Sequence, residues 1–180
     1  MLATIDEKLF HIFFNTTMDN ALLANLSIFA TNMSSKLFAI IYITIIGILI
    51  WNRSKKLIPF IIAPATAVVI VQLFRFLYER PRPFVALEIE SLIYHAPNAS
   101  LPSMHAVSAF VIAMAIYYVY KKLGVIMLLL ATMTALSRVM VGVHYPLDIL
   151  AGALLGIALS ACVFNFSNYF EIRAGFLKAR

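Results

Sequence analysis

The chain has 180 residues, of which 63% are hydrophobic and only 12% charged, and its mean hydropathy is +0.94. Soluble domains carry about half apolar and about a quarter charged residues, so this composition excludes one and predicts a membrane protein. The net charge of +6 falls in short clusters between apolar segments, which points to membrane topology and anionic lipid rather than nucleic acid.

From the N-terminus, residues 3–16 (ATIDEKLFHIFFNT) have an amphipathic pattern and are predicted to lie along the membrane interface. Asp6 and Glu7 stand where a secretory signal would carry positive charge, so no signal peptide is predicted. Six windows lack charge: 20–35, 37–52, 57–74, 106–120, 123–137 and 149–170. Their flanks extend them toward the roughly 20 residues of a spanning helix. The predicted fold is all-α, a polytopic six-helix transmembrane bundle that forms a single unit over residues 1–180. Residues 79–101 carry three prolines and no long apolar run, and read as a loop with room for a short helix. Tyr117, Tyr118 and Tyr120 suit an interfacial aromatic belt. Gly152 and Gly156 make a small-xxx-small pattern, read as packing between helices of one chain. The single cysteine, Cys162, excludes an intrachain disulfide and reads as a small buried or lipid-facing residue.

Lysine and arginine set the expected orientation. One face of the six-helix arrangement holds Arg53, Lys55, Lys56, Lys121, Lys122, Arg173, Lys178 and Arg180. The other holds Lys36, Arg75, Arg80, Arg82 and Arg138. The positive-inside rule puts the first face, and with it both termini, in the cytoplasm. The polar ends of helices 3 to 6 then face outward from the cytoplasmic (inner) membrane.

Those outward ends hold three unusual stretches. In RFLYERPRP, residues 75–83, Pro81 and Pro83 bracket Arg82 and hold it extended. An arginine fork matches phosphate oxygens, although Arg75 and Arg82 could also snorkel to headgroups. In LPSMHAVSAF, residues 101–110, Pro102, Ser103 and His105 precede an apolar helix. The free N–H groups of such a first turn attract anions, while the bland alternative is a capped helix with an incidental histidine. In SRVMVGVHYPLDILAG, residues 137–152, His144 and Asp148 lie four apart around a helix start marked by Pro146. A carboxylate that accepts from Nδ1–H fixes the imidazole tautomer and leaves Nε2 as nucleophile or base. Arg138 either pairs with Asp148 or joins the other arginines at an anion. No glycine-rich nucleotide loop accompanies these groups, and the carboxylates are too few for a metal cage. The residue types point to metal-free phosphoryl transfer.

The three stretches resemble the tripartite signature of the type-2 phosphatidic acid phosphatase superfamily: Lys-x6-Arg-Pro, Pro-Ser-Gly-His, and Ser-Arg-x5-His-x3-Asp. This chain reads Arg75-x6-Arg82-Pro83, Pro102-Ser103-Met104-His105, and Ser137-Arg138-x5-His144-x3-Asp148. Arg75 replaces lysine and Met104 replaces glycine; the likeness covers about residues 57–160. It implies an integral-membrane lipid phosphatase in which His144 attacks phosphorus to form a phosphohistidine and Asp148 orients it. His105 then protonates the leaving oxygen. Arg75, Arg82, Ser103, Arg138 and the Met104 N–H hold the phosphate, with no metal and no cofactor. Methionine at 104 can still offer its N–H, and its bulk can narrow the pocket or touch a lipid chain. Arg80 lies outside the signature and is a candidate headgroup contact; His95 and His11 read as incidental.

The resemblance implies a lipid phosphate or pyrophosphate substrate within the bilayer, undecaprenyl pyrophosphate first. Lipid A 1-phosphate and phosphatidylglycerophosphate are the alternatives. No nucleic-acid partner is expected, and the sequence leaves the oligomeric state open, a monomer included. A transporter or proton pathway could use the same charges, but it would need ionisable residues through the bilayer and repeated halves. Haloperoxidases of the same superfamily are soluble, which the composition excludes. Two imidazoles that titrate near pH 6.5 predict a bell-shaped rate profile.

Overall fold

The structure, a computed structural model, describes the backbone of residues 2–178 and the side chains of residues 3–170. Arg180 and the side chains of Glu171, Arg173 and Lys178 lie outside the described residues. The elements are all helical: α1 (Leu2–Met18), α2 (Ala21–Trp51), α3 (Leu57–Leu77), α4 (Pro83–Ala86), α5 (Met104–Val119), α6 (Lys121–Met140) and α7 (Pro146–Lys178). Four segments are long and apolar enough to cross a membrane: Ala21–Trp51, Leu57–Leu77, Lys121–Met140 and Pro146–Phe170. The apolar helix α5 is shorter.

The six expected spans are not all separate. Windows 20–35 and 37–52 are one 31-residue helix, α2. Lys36 interrupts the hydropathy there, but lysine is a good helix former and no proline or glycine separates the windows. At about 1.5 Å per residue α2 is about 46 Å long, more than a hydrocarbon core of about 30 Å needs. The Asn20 side chain caps its start by accepting from Leu23 N at 3.1 Å. The Thr31 and Ser137 hydroxyls, 2.8 Å apart, tie it to α6, and Tyr42 donates to the Phe60 carbonyl of α3 at 3.1 Å.

Merging two spans changes the topology. Asp6 of α1 pairs with Arg80 at 2.6 Å and accepts from Leu147 N at 2.8 Å, so α1 sits at the motif end of the bundle. Helix α7 starts at that end and runs to the other, where Phe164 stacks on Tyr118 at 4.7 Å. The N-terminal and C-terminal helices therefore finish at opposite ends, against the expectation of a shared face. Lys36 lies midway along α2 and leaves the motif-end group. Arg53, Lys55, Lys56, Lys121 and Lys122 stay together at the turns of the opposite end, where Lys56 Nζ donates to the Tyr118 carbonyl at 2.9 Å.

Helix α1 is amphipathic in an uncommon sense. It buries Asp6, Phe10, Phe14 and Thr17 at helical spacing against the bundle, and exposes Ile5, Leu9, Ile12 and Phe13. Phe10 packs edge-on against Tyr145, at a centroid distance of 5.5 Å.

Helices α5 and α7 pack closely, and glycine makes it possible. A Cβ on Gly152 would stand 2.9 Å from Ala106 Cβ and 3.0 Å from the Ser103 carbonyl; one on Gly156 would stand 2.7 Å from the Val107 carbonyl. The small-xxx-small pattern thus serves packing inside the chain. Its functional weight is at Gly152, because Ser103 N also donates to the Asp148 carbonyl at 3.1 Å. Gly152→Leu is expected to part α5 from α7 at the motif end, at a cost of about 1–3 kcal/mol for overpacking. Thermal unfolding in detergent should show the loss of stability.

Candidate active site

The three stretches meet where the starts of α5 and α7, the ends of α3 and α6, and the loop from Tyr78 to Ser103 converge. Arg82 organises that loop. It is extended (φ −73°, ψ 158°) between its two prolines, caps the single turn of α4, and is 1% exposed. Its Nε and Nη2 donate to the Asn98 side-chain oxygen at 3.1 and 2.7 Å. Its Nη1 donates to the Val143 carbonyl at 2.9 Å and lies 3.0 Å from His144 Nε2. One guanidinium therefore joins the loop around Asn98 to the turn that carries His144.

That contact decides the imidazole tautomer. Arginine only donates, so His144 Nε2 must present its lone pair to Arg82 and the ring proton must sit on Nδ1. Nδ1 faces Asp148 Oδ2 at 3.4 Å and the Ser100 hydroxyl at 3.3 Å. Asp148 is fully buried and saturated: Oδ2 also accepts from Ser100 Oγ and from Tyr145 N at 2.8 Å, and Oδ1 accepts from Arg80 Nη1 at 2.8 Å. The turn before His144 needs Gly142, whose φ is +86° and whose absent Cβ would lie 2.8 Å from the Phe14 ring.

Burial pushes the His144 imidazole down to about 3, the Arg82 and Arg138 charges act in the same direction, and Asp148 opposes them. The sign matters for the rate profile. A lowered value keeps the ring neutral, with its Nε2 lone pair available, at every pH above about 3. The acid limb expected from His144 near pH 6.5 is thereby displaced far to acid. Release of p-nitrophenol from p-nitrophenyl phosphate in the first turnover, which needs no proton on the leaving group and precedes any later step, should keep the same rate from about pH 8 to about pH 5. A fall centred near pH 6.5 would contradict this.

Three buried donors lack partners among the described residues: Ser160 Oγ, in the body of α7, and two at the site. Ser103 Oγ is fully buried; Ser103 caps α5 with its backbone but its hydroxyl makes no cap bond. Arg138 is 3% exposed and its Nε is unpaired. The bland expectation for Arg138, an ion pair with Asp148, is not met, since Arg80 takes that carboxylate. A buried guanidinium without a carboxylate is costly unless an anion completes it. Arg75 donates through Nε and Nη2 to the Pro102 carbonyl at 3.2 and 2.8 Å, so it braces the start of α5.

Arg80 departs from the expected headgroup contact. Its two terminal nitrogens are taken by Asp6 and Asp148, and its guanidinium lies 4.2 Å from the centre of the Tyr145 ring. Burial lowers its pKa, but the Asp148 and Asp6 carboxylates outweigh that and leave it raised. Met104 and His105 line an apolar cavity of about 330 Å³ together with Phe38, Tyr42 and Ile112, reaching into the bundle between α2, α5 and α6. Among the described residues, no three His, Cys, Asp or Glu side chains gather in a way that could hold a metal ion.

Four residues of this site carry no sequence signal of their own. Ser100 and Asn98 lie in an irregular loop, where no periodicity marks them. Asp6 is far away in sequence and reaches Arg80 only because α1 folds back over the site. His95, read as incidental, has its ring 6.2 Å from that of His144.

Comparison with known proteins reaches the family that the motifs resemble. Residues 56–172 match the model described as the PAP2 superfamily. The chain is 32% identical over 154 residues to the undecaprenyl-diphosphatase BcrC of Bacillus subtilis, covering 83% of this chain and 77% of that protein. LpxE of Aquifex aeolicus superposes with a TM-score of 0.75 at 27% identity, over 88% of this chain and 93% of that one. A transmembrane PAP2-type phosphatidylglycerolphosphate phosphatase of Bacillus subtilis has the same fold, with a TM-score of 0.77 at 21% identity over 93% of this chain and 87% of that one.

Proposed function

This chain belongs to the PAP2 superfamily, and from that premise we propose that it cleaves the terminal phosphate from undecaprenyl pyrophosphate through a phosphohistidine on His144. The observation that carries the chemistry is the pair of unpartnered buried donors, Ser103 Oγ and Arg138 Nε, beside a neutral imidazole whose lone pair is on Nε2. These groups fit a tetrahedral anion better than any contact within the protein.

In the first step Nε2 forms a bond to the terminal phosphorus, and the bond from that phosphorus to the bridging oxygen breaks. His105 gives a proton to that oxygen, and lipid monophosphate leaves. Arg82 Nη1 turns from Nε2 to a phosphate oxygen as the P–N bond forms. In the second step His105 takes a proton from water, the water oxygen bonds to phosphorus, and the P–N bond breaks to release phosphate and restore His144. Asp148 keeps Nδ1–H in place throughout. Arg82, Arg138 and Ser103 act as fixed donors to the equatorial oxygens, where the charge spreads. Arg75 holds the Pro102–His105 turn and adds positive potential. The apolar cavity beside Met104 and His105 takes the first part of the lipid chain.

The site works at the extracytoplasmic surface. The support is charge: Arg53, Lys55, Lys56, Lys121 and Lys122 mark the opposite end as cytoplasmic. In a Cys162→Ser background, a cysteine introduced in loop 86–98 should react with an impermeant thiol reagent on intact cells, and one beside Lys55 should not. The reverse pattern contradicts the orientation.

The test of the reaction is phosphate release by purified protein in detergent, with EDTA present. The panel contains undecaprenyl pyrophosphate, phosphatidic acid, phosphatidylglycerophosphate and lipid A. Activity that survives EDTA and is highest on undecaprenyl pyrophosphate is the expected result. Activity that EDTA abolishes and metal restores overturns the metal-free reading; a different preferred lipid overturns the substrate.

A further inference from the structure

His95 belongs to none of the three motifs, yet the loop between α4 and α5 hangs it at the site. Its ring is half-buried and meets the His144 ring nearly edge to face, with centroids 6.2 Å apart and planes at 76°. Its Nδ1 lies 3.0 Å from the Ala96 carbonyl. A carbonyl only accepts, so Nδ1 carries the proton and Nε2 keeps a lone pair free of that bond. Burial lowers the pKa of His95, and the Arg82, Arg138 and Arg75 charges lower it further. His95 is therefore held beside the His144 ring within reach of the same arginine charges, with its Nε2 free of the Ala96 bond.

The phosphoryl group under attack is already provided for. In the reaction proposed above it meets His144 Nε2, Arg82, Arg138 and Ser103, with His105 at the leaving oxygen. What remains for His95 is whatever the leaving group carries. For a phosphate monoester that is an uncharged alcohol; for a diphosphate it is a second phosphate. We propose that His95 is the binding residue for the second phosphate of a diphosphate substrate, and so sets preference for diphosphates over monoesters. This rests on the diphosphatase reading above. The hydrogen bond forms between Nε2 and a phosphate oxygen: the anionic diphosphate offsets the arginine charges, the ring takes a proton from solvent onto Nε2, and Nε2–H donates to the oxygen.

The test compares two inhibitors of phosphatidic acid hydrolysis. Vanadate mimics one phosphoryl group and methylenebisphosphonate mimics two. His95→Ala should weaken methylenebisphosphonate inhibition roughly tenfold or more, the value of one hydrogen bond to a charged group, and leave vanadate inhibition within about twofold. His95→Gln, whose amide nitrogen reaches the Nε2 position, should restore most of the loss; His95→Asn, which reaches only the Nδ1 position, should not. Equal weakening of both inhibitors, no change in either, or equal behaviour of the Gln and Asn variants overturns the assignment. If His95→Ala does not fold, the Gln and Asn variants carry the comparison alone. Failure of the wild-type protein to hydrolyse undecaprenyl pyrophosphate, with the inhibitor pattern intact, removes the diphosphatase reading but not the His95 site.

Discussion

His144→Ala is expected to lower turnover by about 10⁴-fold or more, the scale seen when a covalent nucleophile is removed and only binding and charge stabilisation remain. The reason lies in how completely the structure commits this ring. Its Nε2 lone pair is pinned by Arg82 Nη1 at 3.0 Å, its Nδ1 faces Asp148, and it is 1% exposed. No other neutral imidazole nitrogen is held by arginine and backed by a carboxylate among the described residues. His105 cannot substitute, because in the proposed mechanism it must remain free to move the proton at the leaving oxygen. Binding should survive, since Arg82, Arg138 and Ser103 remain, so substrate capture can be measured in the same variant. Residual kcat within tenfold of wild type would remove His144 from the nucleophile's place.

Asp148→Asn is expected to cut kcat by about 10³–10⁴-fold with little change in KM, the effect of losing the correct tautomer. Asparagine has one oxygen where Asp148 uses two. If its amide nitrogen takes the Oδ1 position it faces the Arg80 donor, which lies 2.8 Å away; at the Oδ2 position it faces Tyr145 N and His144 Nδ1–H. Either arrangement sets donor against donor. With nitrogen at the Oδ2 position the ring either keeps Nδ1–H against a donor or moves its proton to Nε2 against Arg82 Nη1, and each loses the aligned lone pair. Steady-state phosphate release separates kcat from KM, and an unchanged kcat would contradict the role.

Much of this site is legible in the sequence because local rules place it. Two prolines keep Arg82 extended, and no tertiary contact is needed to foresee that. The spacing of His144 and Asp148 around Pro146 brings imidazole and carboxylate together through helix geometry alone. Gly152 and Gly156 announce a close helix pair. What is not legible depends on chain segments distant in sequence. Arg80 sits two residues from Arg82 and shares its charge, yet it pairs with Asp6 of α1 and with Asp148, because α1 folds over the motif end. Asp6 itself looks like the polar face of an interfacial helix. His95 and Ser100 lie in a loop whose path is set by the bonds of Arg82 to Asn98, and no pattern marks such a path. The number of spans fails for a simpler reason: hydropathy reports where charge occurs, whereas a helix ends where its backbone stops, and Lys36 gives the first without the second.

The central claim is the covalent step, and trapping it tests the account most directly. Wild-type protein mixed with substrate labelled in the terminal phosphate and quenched within milliseconds in alkali should carry label on the protein. That label should be stable in base, be lost in acid, and map to His144 by mass spectrometry. His105→Ala with p-nitrophenyl phosphate should accumulate the adduct, because hydrolysis loses its base while the leaving group needs no acid, and His144→Ala should carry none. Turnover with no labelled protein at any quench time, or label that persists in His144→Ala, would contradict the phosphohistidine account.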